Sequence, residues 1–241
     1  MFDKIRQDQD AKSRTVFIAG AYEFLADDGE DAPDPKAWPA LAKGFASLDY
    51  SAGALSPEEA KALQDQGLKM PPAWVALDNK KVQSTILTVA GGKIGVLFFP
   101  VLAKPGASVD EGLVHLIEQE AQKLKPQVNL VVGVSPWGVQ NESDFLDKVK
   151  PGLDVLLGSG PGVGFSAKPS PNGKVLWMHT YTKGKAIYTV DLPAWPTDKD
   201  FKWALDGNYS TKAVLLDDSF QTDPGMVDIF QGIPDPNDKH K

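Results

Sequence analysis

Hydrophobic positions along the chain change period from one segment to the next, and the alternation reads as strands separated by helices. Leu41, Phe45 and Leu48 fall at i, i+4 and i+7, one face of a helix. Ser56-Pro57-Glu58-Glu59 has the composition of a helix start: Ser as N-cap, Pro in the first turn, and Glu at the third position to close a capping box. Thr85 to Val89 and Lys93 to Phe98 are strand-like runs on either side of Gly91-Gly92, which predicts a hairpin. Leu113, Ile117 and Leu124 mark one face of a helix over Asp110 to Lys125, stopped by Pro126. Val128 to Val134 is almost continuously apolar, the mark of a central strand buried on both faces. Val155 to Leu157 is a second such strand and opens into Gly158-Ser159-Gly160-Pro161-Gly162-Val163-Gly164.

Weaker signals fill the gaps. Phe2 to Ala11 reads as the end of a helix, Val16 to Ala19 as a short strand, and Asp27 to Pro35 as an acidic, proline-bearing loop. Asp144 to Val149 suggests a short helix. Val175 to Thr180 and Ala186 to Leu192 suggest antiparallel strands joined at Lys183-Gly184, and Met226 to Phe230 a last helix. Without repeats or low-complexity linkers, the pattern predicts a single α/β domain over residues 1–233, with mixed sheets covered by helices and a polar tail over 234–241.

Charge narrows the choice of partners. The net charge is −7, acidic residues lie in both halves, and the scattered basic residues form no cluster. Nucleic acid is therefore disfavoured as a partner, because counterion release needs a basic patch. No apolar run is long enough to span a bilayer, so membrane insertion is not expected. The chain has no cysteine, which removes disulfides and thiolate metal sites. Met1 to Arg14 is polar and carries no signal peptide, which fits either a cytosolic protein or a mature or trimmed form of an exported one.

Candidate chemistry is sparse. His115 falls mid-helix, His179 in a strand and His240 in the tail, a scatter that fits structural or surface roles. No nucleophile elbow is present. The glycine-rich segment fails the dinucleotide spacing, with Val163 where a third glycine belongs, and lacks the Lys-Ser/Thr of a phosphate loop. A flexible loop suits it better than an anion-holding nest of amides. Trp137, just after a central strand, would either stack on a ligand at a cleft mouth or pack against Pro136. Trp195, between prolines, is a candidate contact point.

From Leu41 to Leu192 the order of segments resembles the catalytic domain of the 5′-nucleotidase family of metallophosphoesterases. "LAKGFASLDYSAGAL" resembles the family's helix and strand leading to its GNHE motif, and "GGKIGVLFFP" the strand written GxKVGIIG. "KLKPQVNLVVGVSPWG" corresponds to the region ending in SHxG, and "PGLDVLLGSGPG" to the one ending in GGHSH. "HTYTKGKAIYTVDL" is similar to a later hairpin with a GK pair. "LLDDSFQTDPGMVDIF" is similar to the segment leading towards the family's second domain.

The resemblance implies an α/β sandwich of two mixed β-sheets flanked by helices, here lacking its first strand, and a cleft that in the family holds two divalent metals. Carried over by position, the ligands are gone. Glu23 stands at the Asp of the GD motif, Pro57 at the Asn and Glu58 at the catalytic His of GNHE. Pro136 replaces the His of SHxG, and Gly160 and Gly162 replace the two His of GGHSH. Proline and glycine offer no side-chain lone pair, so no metal cofactor is expected. Glu23, Glu58, Trp137, Gly160 and Gly162 are left as residues of a residual cleft.

The resemblance thus implies a non-catalytic binding or scaffolding module for a small molecule or protein, in a periplasmic or extracellular setting of bacterial type. Because the family begins with a further strand, Met1 reads as an internal start. The alternative is a divergent hydrolase whose Glu23, Asp27, Asp28 and Glu58 rebuild a carboxylate site suited to magnesium or calcium.

Overall fold

A computed structural model describes residues 9–25, 33–104, 106–148, 152–180, 185–197, 200–217 and 219–233. In order along the chain come α1 (Gln9–Arg14), β1 (Ile18–Ala19), α2 (Trp38–Ser47), β2 (Ala52–Leu55), α3 (Pro57–Asp65) and β3 (Trp74–Ala76). Then follow β4 (Gln83–Val89), β5 (Gly92–Phe98), α4 (Glu111–Leu124), β6 (Leu130–Ser135), α5 (Val139–Lys148) and β7 (Val155–Gly158). The last are β8 (Phe165–Pro169), β9 (Leu176–His179), β10 (Ala186–Asp191), β11 (Ser210–Leu215) and α6 (Pro224–Phe230).

The strands form a six-stranded sheet in the order β4-β5-β6-β7-β9-β8, a three-stranded sheet β1-β2-β3 and a two-stranded ribbon β10-β11. In the large sheet β5, β6, β7 and β9 are parallel, while β4 and β8 are antiparallel edges. That mixture explains the sequence. β6 is buried along its whole length because both its faces are covered, as its continuous apolar run predicts. β4 alternates between half-buried and exposed positions, as an edge strand with one covered face does.

One face of the large sheet packs against the two smaller sheets. Val96, Phe98, Val132, Val134 and Leu176 meet Ala52, Ala54 and Leu77 there, with Tyr188 and Val190 of β10 partly buried against them. The other face is covered by helices: Leu97, Phe99, Val131 and Leu156 meet Val114, Ile117 and Ala121 of α4 and Phe145 and Leu146 of α5. An aromatic cluster of Phe24, Trp38 and Trp74 with Phe45 and Tyr50 closes the far side of the small parallel sheet. This is the expected α/β sandwich of sheets flanked by helices, except that only the six-stranded sheet is mixed, the three-stranded one being parallel throughout. No described helix is long and apolar enough to cross a membrane.

Local predictions hold where the signal was chemical. Ser56 caps α3 and the reciprocal Ser56–Glu59 capping box forms. The Gly91-Gly92 hairpin, α4 and α6 also appear. Two expectations are corrected. The short helix expected from Asp144 begins at Val139, because Gly138 at φ +81° turns the chain straight from β6 into α5. The strands expected to form one hairpin lie in different sheets: β9 joins β7 and β8, and β10 pairs with β11. Residues 1–8, most of the first expected helix, and the tail 234–241 with His240 lie outside the described residues.

A candidate cleft fastened by two buried glutamates

Parallel strands bring their carboxyl ends to one edge of a sheet, and here two sheets do so side by side. β1 runs into Gly20 and β7 into Ser159; a methyl group built on Gly20 would lie 2.8 Å from the Ser159 side chain. The ends of β2, β6 and β9, at Ser56, Ser135 and His179, belong to the same rim by their pairing registers.

On the small-sheet side the loop after β1 is held by Glu59, which is fully buried. Its Oε2 accepts the N–H of Ser56 at 2.7 Å and of Tyr22 at 3.0 Å. Its Oε1 accepts the N–H of Phe24 at 2.7 Å and of Leu25 at 3.2 Å. Tyr22 has φ +74°, which costs a non-glycine residue about 1–2 kcal/mol and persists because the amides on either side of the bend are pinned. Burial pushes the Glu59 carboxyl above its ordinary range, and the four amides pull it part of the way back.

Glu23, on the same loop, is more than a third exposed. Desolvation of its carboxyl and, second, the charge of Glu59 push it up to about 7. Because the residue as a whole is this exposed, solvent screens the interaction and the shift carries little stability. The folded pKa lies above the unfolded one, so the folded state binds the extra proton between about pH 4.5 and 7, and any contribution fades as pH rises through 7. Side-chain carbon NMR should give Glu23 a midpoint near 7. Glu59→Gln should lower it by removing the neighbouring charge; an unchanged midpoint would show that the two carboxylates do not interact.

On the large-sheet side Glu142 of α5 and His179 of β9 are both fully buried. Glu142 Oε2 accepts the indole N–H of Trp177 and lies 2.9 Å from both Trp177 Nε1 and His179 Nδ1. His179 Nε2 is 3.2 Å from the carbonyl oxygen of Gly160. A carbonyl only accepts, so Nε2 is the donor in that contact. Phe165 stacks on His179 with ring centroids 6.1 Å apart, and Lys168 Nζ lies 4.9 Å from the Trp177 ring. Glu142 Oε1 is enclosed and has no hydrogen-bond partner among the described residues. A carboxylate–imidazole pair supplies two of the three members of a hydrolytic triad, but the imidazole faces a peptide carbonyl, and the Ser159 hydroxyl donates to Ser135 O at 3.0 Å. Among the described residues no nucleophile completes it.

The residues at the family's ligand positions do not fit a two-metal centre. Glu23 and Glu58 are exposed, Pro57 occupies the first turn of α3 and Pro136 is buried. Gly160 has φ +88°, and a methyl group there would lie 2.7 Å from Pro136 O. Gly162 has φ +138°, and a methyl group there would overlap Val139. The loop is fastened onto the start of α5, with Gly138 N donating to Ser159 O and Val139 N to Pro161 O, each at 3.0 Å. A histidine at either glycine would be both strained and obstructed. Among the described residues no group of three His, Cys, Asp or Glu side chains could hold a metal ion. Asp27 and Asp28 lie outside the described residues.

Trp137 does not stand at the cleft mouth. It is buried among Phe99 and Phe145, with centroids 5.0 and 5.6 Å away, and its indole donates to Pro100 O at 2.6 Å. Its role is core packing, though against these rings and not simply against Pro136. Trp195 lies half-buried over the β4–β5 turn, donating to Gly91 O at 3.1 Å. His115 is an exposed helix residue, as its position suggests. Neither Glu142 nor the pairing of His179 was among the expected site residues. A signal existed: Glu142, Phe145 and Leu146 stand at i, i+3 and i+4, which puts a carboxylate on the apolar face of α5.

Comparison with solved structures places this architecture. The NAD nucleotidase of Haemophilus influenzae matches with a TM-score of 0.58 and 15% identity over 89% of this chain and 48% of its own. The sulfate thiohydrolase SoxB of Thermus thermophilus matches at 0.56 and 15% over 89% and 42%. The calcineurin-like phosphoesterase YfkN of Bacillus subtilis matches at 0.59 and 13% over 95% and 86%. The chain thus has the calcineurin-like metallophosphoesterase fold, and it spans about half the length of the first two proteins. No family model and no curated protein matches the chain.

Proposed function

We propose that this chain is a 5′-nucleotidase-like protein without a functional two-metal site, acting as a binding or scaffolding module for a small molecule or a protein. The observation that carries the reading is the glycine-rich loop. Gly160 and Gly162 stand where ligand histidines would be needed, and the space beside them is filled by Pro136 O and Val139. Divalent ions on this fold would clamp a phosphate and generate the attacking hydroxide. The reading is supported further by Glu58, an exposed carboxylate where a proton-donating histidine would stand. Periplasmic or extracellular location follows from the resemblance and belongs to the same proposal.

The test is metal content by mass spectrometry after incubation with manganese, zinc and magnesium and desalting, with phosphoester hydrolysis assayed in parallel. Substoichiometric metal and no metal-dependent turnover are expected. One or two retained equivalents, with turnover that co-purifies with the protein and is lost in Glu23→Gln, would establish the rebuilt carboxylate site instead.

A further inference from the structure

We propose that Glu59 and Glu142 are internal clamps that hold the two walls of the cleft in place without any metal ion. The inference rests on the reading that the two-metal site is absent. It adds what keeps the strand-end loops ordered in its place.

Both carboxylates are fully buried, and each ties a loop at the carboxyl end of a parallel strand to a neighbouring element. Glu59 draws the loop after β1 onto the first turn of α3 through the backbone amides of Tyr22, Phe24 and Leu25, while a fourth, that of Ser56, closes its own helix cap. Each of its oxygens already accepts two N–H groups, so binding a cation would cost amide partners. Glu142 reaches from α5 to the end of β9, and His179 carries the connection on to Gly160 O. The same loop is sewn to the start of α5 through Gly138 and Val139. Buried carboxylates are a poor way to gain stability, and apolar residues of similar volume commonly do as well. What these two contact is the backbone that shapes the cleft, so positioning is the role their placement supports.

Amide hydrogen exchange read residue by residue tests this. In the wild-type chain, the amides of Tyr22, Phe24 and Leu25, and those of Gly138, Val139 and Thr180, should exchange at the same rate in excess EDTA and in excess manganese. In Glu59→Gln, the side-chain NH2 would face two amides in place of an accepting oxygen. Phe24 and Leu25, or Tyr22 and Ser56, should then exchange about tenfold faster or more, while the amides of β6 stay unchanged. In His179→Phe the same local acceleration should appear at Gly138, Val139 and Thr180. Should either variant fail to fold, the wild-type comparison decides alone. Manganese that slows these loop amides would overturn the proposal, as would variants whose loops exchange as slowly as the wild type. Bound metal with loop exchange unaffected would instead overturn the absent-site reading and leave the clamps standing.

Discussion

Replacing Gly158 with alanine should destabilise the fold by about 3–5 kcal/mol, an overpacking cost compounded by disturbance of a buried ionisable pair. A methyl group built on Gly158 overlaps Glu142 Oε2 and His179 Nδ1, the two atoms that face each other in the pair. The carboxylate could retreat only by giving up the indole of Trp177 as well. The imidazole is held by Phe165 on one face and by Gly160 O at its far nitrogen. Neither group has solvent to move into, since both are fully buried. Gly158 does not have a positive φ, so the effect is steric and not conformational. Gly67 supplies the contrast: it has φ +66° with nothing within 4 Å, so Gly67→Ala should cost only about 1–2 kcal/mol of backbone strain. Urea unfolding of both variants measures the difference, provided the slope stays that of the wild type. A Gly158→Ala midpoint close to that of wild type would mean that the pair is not fixed at this spacing.

How much of this was legible beforehand differs between fold and site. Helix caps and hairpin turns announce themselves locally, and Ser56 with Glu59 is the clearest instance because both halves of the capping box lie within four residues. The same Glu59 also reaches Phe24, 35 positions away, and no local pattern carries that contact. β9 and β10 were misassigned to one hairpin for a related reason. Both look like strands, but what decides their partners is the backbone edge of β7 for β9 and the distant β11 for β10. The short β3 and β8 lacked a periodic signature and were not anticipated, although Trp74 of β3 packs over Gly53 and helps close the small sheet. That Gly160, Gly162 and Pro136 carry no side-chain donor is legible in the sequence, since that holds wherever they lie. That the loop around Gly160 and Gly162 is also packed shut required the backbone angles and the neighbouring Val139.

Glu142→Leu should cost about 3–5 kcal/mol, because it strands His179 and the Trp177 N–H without an acceptor inside the core. Adding His179→Phe should return a large part of that loss, since no buried ring nitrogen is then left without a partner and an aromatic ring still fills the site. Adding Trp177→Phe removes the remaining orphan donor, an unsatisfied group costing about 1–3 kcal/mol. The triple variant should therefore lie within about 2 kcal/mol of the wild type, far from the sum of its parts, as expected for residues in one buried network. Stability recovered in this way would not restore the contact from His179 to Gly160 O, so the loop should stay loose while the core is sound. Urea unfolding measures the first quantity and hydrogen exchange at Gly138 and Val139 the second. Recovery of both would reduce the trio to packing. Recovery of stability alone would separate the two roles and leave Glu142 and His179 as residues kept for where they hold the loop.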